Sequence, residues 1–181
     1  QVCSGNGVCS LADQCTCNAG YNENNCSTPM CFGVNATSDS VCSGNGVCQD
    51  VDECVCDSGH TGMTCSIPMC FGTNSSSDSV CSGHGICGSK DQCTCDTGYN
   101  GIECAVPLCY GANGTDPQVC SSQGSCVSAD QCTCNTGYSG VDCSAMMCFG
   151  VNATDLTVCS GHGNCSDVDT CECVDSFVGD D

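Results

Sequence analysis

Cysteine recurs in this chain with a fixed period. Positions 3, 9, 15, 17, 26 and 31 are cysteine, and so are 42, 48, 54, 56, 65 and 70, each 39 residues further on. The same step carries "SGNGVC" from Ser4 to Ser43, then to "SGHGIC" at Ser82, "SSQGSC" at Ser121 and "SGHGNC" at Ser160. No residue is gained or lost across the copies. Self-similarity at 20–50 residues marks a tandem array whose units contact their neighbours. With 28 cysteines in 181 residues, no Trp, and only 4 Phe and 4 Tyr, one large apolar core is excluded. Small cross-linked units are the physical alternative.

Charge removes whole classes of partner. The net charge is −20 and Lys90 is the only basic residue. Nucleic-acid binding replaces condensed counterions with protein cations, and this chain has none to spare. Docking on an anionic membrane surface fails for the same reason. No apolar run approaches the roughly 18 residues of a membrane span, so no membrane insertion is expected. The cysteine content points to an oxidising, secreted or cell-surface setting. Lacking an initiator Met and a signal peptide, the chain is expected to be a window of a longer secreted one.

One unit runs from Cys31 to Cys65 with spacing C-x10-C-x5-C-x5-C-x-C-x8-C. Six cysteines allow 15 connectivities, and sequence alone leaves them open. The last loops read "CDSGHTGMTC", "CDTGYNGIEC" and "CNTGYSGVDC". The spacing, the C-x-C and the G-aromatic-x-G ending resemble the epidermal-growth-factor-like (EGF-like) module. The "CSGHG" after the second cysteine is similar to its tenascin and teneurin variety.

The resemblance implies pairing of first to third, second to fourth and fifth to sixth cysteine. Carried onto this chain it joins Cys31–Cys48, Cys42–Cys54, Cys56–Cys65, Cys70–Cys87, Cys81–Cys93, Cys95–Cys104, Cys109–Cys126, Cys120–Cys132 and Cys134–Cys143. In the partial outer units it joins Cys3–Cys15, Cys17–Cys26, Cys148–Cys165 and Cys159–Cys171. Cys9 and Cys173 are then left to be bonded by residues outside the window. The expected fold is small and disulfide-rich: tandem EGF-like repeats with short β-hairpins, almost no helix and an elongated rod shape. The units are 1–30 (first cysteine missing), 31–69, 70–108, 109–147 and 148–181 (sixth missing).

Four-residue linkers, "STPM", "SIPM", "AVPL" and "SAMM", separate the units. Pro29, Pro68 and Pro107 restrict them further. The aromatics keep two slots: Phe32, Phe71, Tyr110 and Phe149 after the first cysteine, and Tyr21, Tyr99, Tyr138 and Phe177 in the last loop, where His60 takes the same slot. The last-loop ring is expected to meet the apolar pair that opens the next unit, such as Met30 and Phe32.

N-x-[ST] sequons stand at Asn35, Asn74, Asn113 and Asn152, each four residues after a first cysteine. Their polar surroundings read as surface loops open to N-glycosylation. Asn25 and Asn164 also head sequons, but a cysteine sits in the middle position, so they are expected to be poor acceptors. "CSSQGSC" resembles the family's O-fucose acceptor pattern, which would modify Ser125. "DVDEC" at Asp50 resembles the opening of a calcium-binding EGF-like module, but it precedes the fourth cysteine rather than the first, so no calcium site is expected. A thiolate zinc site is set aside because all the loops fit the disulfide frame. His84 and His162 share a slot with Asn and Gln, as polar loop residues would. No cofactor is expected.

Catalysis needs unlike residues converging in a pocket. The departures from the repeat, Glu23, His60, Lys90, Ser125 and Ala145, lie in different units and are expected to form no constellation. The chain reads as an extracellular structural glycoprotein. Its partners would be neighbouring copies of the same repeat chain in a filament, with glycans on the surface. The resemblance implies matrix, adhesion or protist surface-filament settings such as mastigonemes. The alternative is an adhesion or receptor ectodomain that binds a protein ligand through its repeats.

Overall fold

The computed structural model describes residues 2–174; Phe177 lies outside them. Period-two alternation in "GVCQD" and "ECVC" produces a hairpin, Gly46–Asp50 antiparallel to Glu53–Cys56. The register sets Val47 opposite Val55 and Cys48 opposite Cys54, with a bulge between Cys48 and Asp50. Successive side chains on a strand face opposite ways. Cys48, Cys54 and Cys56 therefore turn to the core, while Val47 and Val55 stay exposed. Gly46 opens the hairpin because the chains crowd there: a Cβ would lie 2.5 Å from the Val55 carbonyl oxygen and 3.0 Å from Cys65 Sγ. Equivalent hairpins pair Gly7–Leu11 with Gln14–Cys17, Gly124–Ser128 with Gln131–Cys134, and Gly163–Asp167 with Thr170–Cys173. Among the described residues, helix is confined to 3-10 turns of four residues such as Val41–Gly44, where Cys42 and Ser43 take φ of 50° and 59°.

A second sheet forms where repeats meet. Tyr21–Asn22, Thr28–Cys31 and Val34–Asn35 make three antiparallel strands with Thr28–Cys31 in the centre. The "STPM" stretch, expected to be a linker, is thus mostly strand. The repeat boundary at 30/31 falls inside the strand Thr28–Cys31. The pattern returns at His60–Thr61, Ile67–Cys70, Thr73–Asn74; at Tyr99–Asn100, Val106–Cys109, Ala112–Asn113; and at Tyr138–Ser139, Ala145–Cys148, Val151–Asn152.

Pro29 is tolerated in a central strand for a geometric reason. Its carbonyl turns towards the third strand and accepts from Ala36 N at 3.1 Å. A residue's N and C=O point to the same side of its strand, so the pair with Tyr21 needs no proline N–H. The other edge is closed by a two-residue turn at Phe32 and Gly33, with φ of 51° and 79°. Positive φ at both positions matches the twist of a tight hairpin.

Thirteen disulfides hold the repeats. In the second repeat they join Cys31–Cys48, Cys42–Cys54 and Cys56–Cys65. The third and fourth hold Cys70–Cys87, Cys81–Cys93, Cys95–Cys104, Cys109–Cys126, Cys120–Cys132 and Cys134–Cys143. The outer repeats hold Cys3–Cys15, Cys17–Cys26, Cys148–Cys165 and Cys159–Cys171. Cys9 Sγ donates to the Leu11 carbonyl at 3.1 Å; Cys173 ends the last described strand.

From the second repeat on, the core is cystine plus one valine. Val41 is 6 % exposed and packs with Cys31, Cys42 and Cys65; Val119 and Val158 repeat this. Burying one valine is worth about 1.5–3 kcal/mol, and closing a loop of some 15 residues with a disulfide about 3 kcal/mol in the chain-entropy model. Cross-links therefore match or exceed apolar burial here. By contact density the chain divides into two compact units, Gln1–Thr94 and Cys95–Asp181. Each contains two of the three-stranded sheets.

Candidate functional site, the joint between repeats

Each joint is assembled from four short pieces. The central strand runs beside the last loop of the preceding repeat: Met30 N donates to the Gly20 carbonyl at 2.7 Å. The hairpin tip of the following repeat then docks on the same edge, with Asp52 N donating to the Met30 carbonyl at 3.1 Å. Asp52 Oδ1 in turn accepts from Phe32 N at 2.6 Å. Asp91, Asp130 and Asp169 accept identically from Phe71, Tyr110 and Phe149 at 2.6–2.7 Å. A left-handed non-glycine residue costs about 1–2 kcal/mol; a hydrogen bond to a charged group returns about 1.5–3 kcal/mol. The aspartate therefore offsets the strain of an aromatic residue at that turn. These aspartates carry φ of 51–55° themselves.

The tip also fills a hole. Gly20 has φ +89°, and a Cβ there would lie 2.4 Å from Val51 Cγ1. Ala129 over Gly98 and Val168 over Gly137 repeat the contact at 2.5 and 2.2 Å. In the sequence these glycines stand out only as the first glycine of the G-aromatic-x-G ending. Their second role is close approach by a side chain 31 residues on, a slot whose members (Val51, Lys90, Ala129, Val168) share no chemistry that would reveal it. The aspartate slot was legible in principle, since Asp13, Asp52, Asp91, Asp130 and Asp169 keep the 39-residue period.

The last-loop tyrosine reaches the next unit through its hydroxyl. Tyr21 stands opposite Pro29, and its hydroxyl donates to Asp50 Oδ1 at 2.8 Å. Tyr99 likewise stands opposite Pro107 and bonds Ser128 Oγ at 3.0 Å. So the two aspartates of "DVDEC" are acceptors at a joint: Asp50 for Tyr21, Asp52 for Phe32. The Tyr21 hydroxyl, then Val51 N, hold the Asp50 carboxyl below the usual carboxylate range, and the bond to Asp50 raises the Tyr21 hydroxyl above its own. A lowered Asp50 contributes stability above its unfolded pKa, lost as pH falls through the folded one. A raised Tyr21 contributes below its unfolded pKa, lost as pH rises through the folded one. Tyr21→Phe is expected to flatten both flanks of the pH–stability profile of this joint, and ultraviolet titration should lose one tyrosine component raised above the ordinary range.

Of the five departures from the repeat, Lys90 and His60 fall at the same joint. The Lys90 stem lies over Gly59, with its Cδ 2.3 Å from where a Cβ would stand, and Nζ donates to the Ser58 carbonyl at 2.7 Å and to Ser58 Oγ at 3.2 Å. His60 follows Gly59 in the same loop, its Nδ1 buried with no hydrogen-bond partner. The only Lys or Arg therefore takes, at one joint, the place that valine or alanine holds at the others. Glu23 takes φ 71° where Gly62, Gly101 and Gly140 stand in other repeats. Ser125 is exposed opposite Thr133, and Ala145 pairs with Ser139.

The sequon asparagines are not on loose loops. Asn35, Asn74, Asn113 and Asn152 end the third strand of each joint sheet, half-buried. Asn35 Oδ1 accepts from Thr37 N at 2.9 Å and Thr37 Oγ1 at 2.7 Å. Asn25 Oδ1 accepts from Ser27 N, and Asn164 lies within a hairpin strand. Cysteine sulfurs also converge: Sγ of Cys31, Cys42 and Cys54 lie within 4.8 Å of one another. All three belong to disulfides, so they are cystine sulfurs rather than the thiolates a metal takes.

A short cross-strapped hairpin repeated in tandem defines a small disulfide-rich module of the EGF-like class. The teneurin-like EGF domain matches residues 39–68, 78–107 and 116–146, together just over half of the chain. The chain belongs to that family. Each match covers the second to sixth cysteines and ends in the joint's central strand. Cys70 and Cys109, with the aromatic and the sequon that follow each, lie between matches. No curated protein matches the chain.

Proposed function

We propose that the chain is part of an extracellular structural glycoprotein whose repeats build, or belong to, a filament. The observation that carries this reading is the joint, made four times from the same pieces. Its central strand is paired on both edges. One inserted residue would turn the Met30 side chain to the core and Cys31 away from it, because side chains alternate along a strand. The 39-residue period is then a requirement of the joint, and equal joints suit a lattice. Neighbouring copies of the chain are the partners in this reading, and glycans at Asn35, Asn74, Asn113 and Asn152 decorate its surface. Among the described residues no helix is long and apolar enough to cross a membrane. Electron microscopy of material from the native source is expected to show ordered filaments with an axial repeat set by the 39-residue unit. Single flexible ectodomains would overturn the filament reading in favour of an adhesion or receptor protein.

A further inference from the structure

An apolar side chain stands at every joint on the face where the core does not need it. Cys31 is 1 % exposed and faces the core; by alternation Met30 faces the other way. The same holds for Met69, Leu108 and Met147, all half-buried. In a chain of charge −20, three methionines and a leucine on an outer sheet face call for a reason.

Their cross-strand partners supply one. Met30 is the direct antiparallel partner of Asn35, Met69 of Asn74, Leu108 of Asn113 and Met147 of Asn152. Directly opposed residues on one face hold their Cβ atoms about 4.5–5.5 Å apart. The asparagine amides are also oriented. Oδ1 accepts from the backbone N two residues on at all four, at 2.7–2.9 Å. At three it also accepts from the threonine Oγ1, at 2.7–2.8 Å. The protein's hydrogen bonds thus fall on Oδ1, and Nδ2 is the atom an N-linked glycan takes.

We propose that the first sugar at each of these asparagines seats its apolar ring face on the opposed Met or Leu and so covers the joint. The glycan is then part of the joint rather than a surface ornament. The inference rests on the glycosylation proposed above. The seat suits a flexible apolar side chain, since methionine and leucine adapt to an irregular partner where a β-branched residue would not. At the last joint Ser139 Oγ donates to Met147 Sδ at 3.0 Å, so that side chain lies along the sheet towards the first strand. A sugar held there shields the bond from Met147 N to the Gly137 carbonyl, 2.8 Å long.

The test compares the secreted chain, trimmed enzymatically to one N-acetylglucosamine per site, with the same sequence made without glycans. Expected are nuclear Overhauser contacts from the sugar ring to the methyl groups of Met30, Met69 and Met147. Amide exchange at those residues should be slower on the order of threefold or more than in the sugar-free chain. Met69→Ser keeps the Asn74 sequon, and is expected to keep the sugar while losing its protection. Sugars attached without contacts or slowing would overturn the seating alone. Glycopeptide masses showing all four asparagines unmodified would overturn the seating and the glycosylation together.

Discussion

Gly98→Ala is expected to destabilise the joint that follows it by about 2–4 kcal/mol, from two separable causes. The residue holds φ +91°, where an L side chain is strained, and the new Cβ would lie 2.5 Å from that of Ala129. Gly111→Ala isolates the first cause, because Gly111 has φ +81° and nothing within 4 Å of its Cβ position. It is expected to cost about 1–2 kcal/mol. Ala129→Gly combined with Gly98→Ala should relieve the clash and leave the strain. The readout is amide exchange at Leu108, whose N–H donates to the Gly98 carbonyl at 2.7 Å. Equal effects of Gly98→Ala and Gly111→Ala would show that the hairpin tip does not press on the joint.

Removing the disulfide from Cys109 to Cys126, with serine at both positions, is expected to cost about 3–5 kcal/mol. Its residues are 17 apart in sequence, and Cys109 ends the central strand of the joint sheet. The loss should therefore appear as faster exchange at Leu108 and Gly114, whose N–H groups bond across that sheet. Removing Cys120–Cys132 ties up a different place: it fastens the 3-10 turn Val119–Ser122 to the hairpin. Global stability should fall there too, while protection at Leu108 and Gly114 is retained. If both double variants unprotected the joint alike, the first disulfide would have no special part in it.

Much of this was open to reading in one dimension. A 39-residue period in 28 cysteines leaves little besides a tandem disulfide-rich array, since so few large apolar residues cannot build one core. Alternation in "QCTC" and "ECVC" marks hairpins, and helix has no periodic stretch to form on. The sequence by itself determined that much: repeat, class and hairpins.

Only the tertiary structure decided what happens between repeats. "STPM" reads as a connector because proline in a central strand argues against a strand. It pairs nonetheless, because Pro29 places its missing N–H where the Tyr21 strand needs no donor. "VNATSDS" reads as a polar loop, yet Asn35 ends a strand, since the two-residue turn at Phe32 and Gly33 folds it back on Met30. Gly59 and Lys90 are far apart in sequence and meet because the hairpin tip of one repeat reaches back over the last loop of the preceding one. The physical reason is common to all three. Periodicity reports how a segment divides its side chains between core and solvent, whereas a joint is a pairing of backbone edges from segments far apart in sequence. Backbone N–H and C=O groups are alike in every residue, so which edge meets which is settled only when the disulfides bring the segments together.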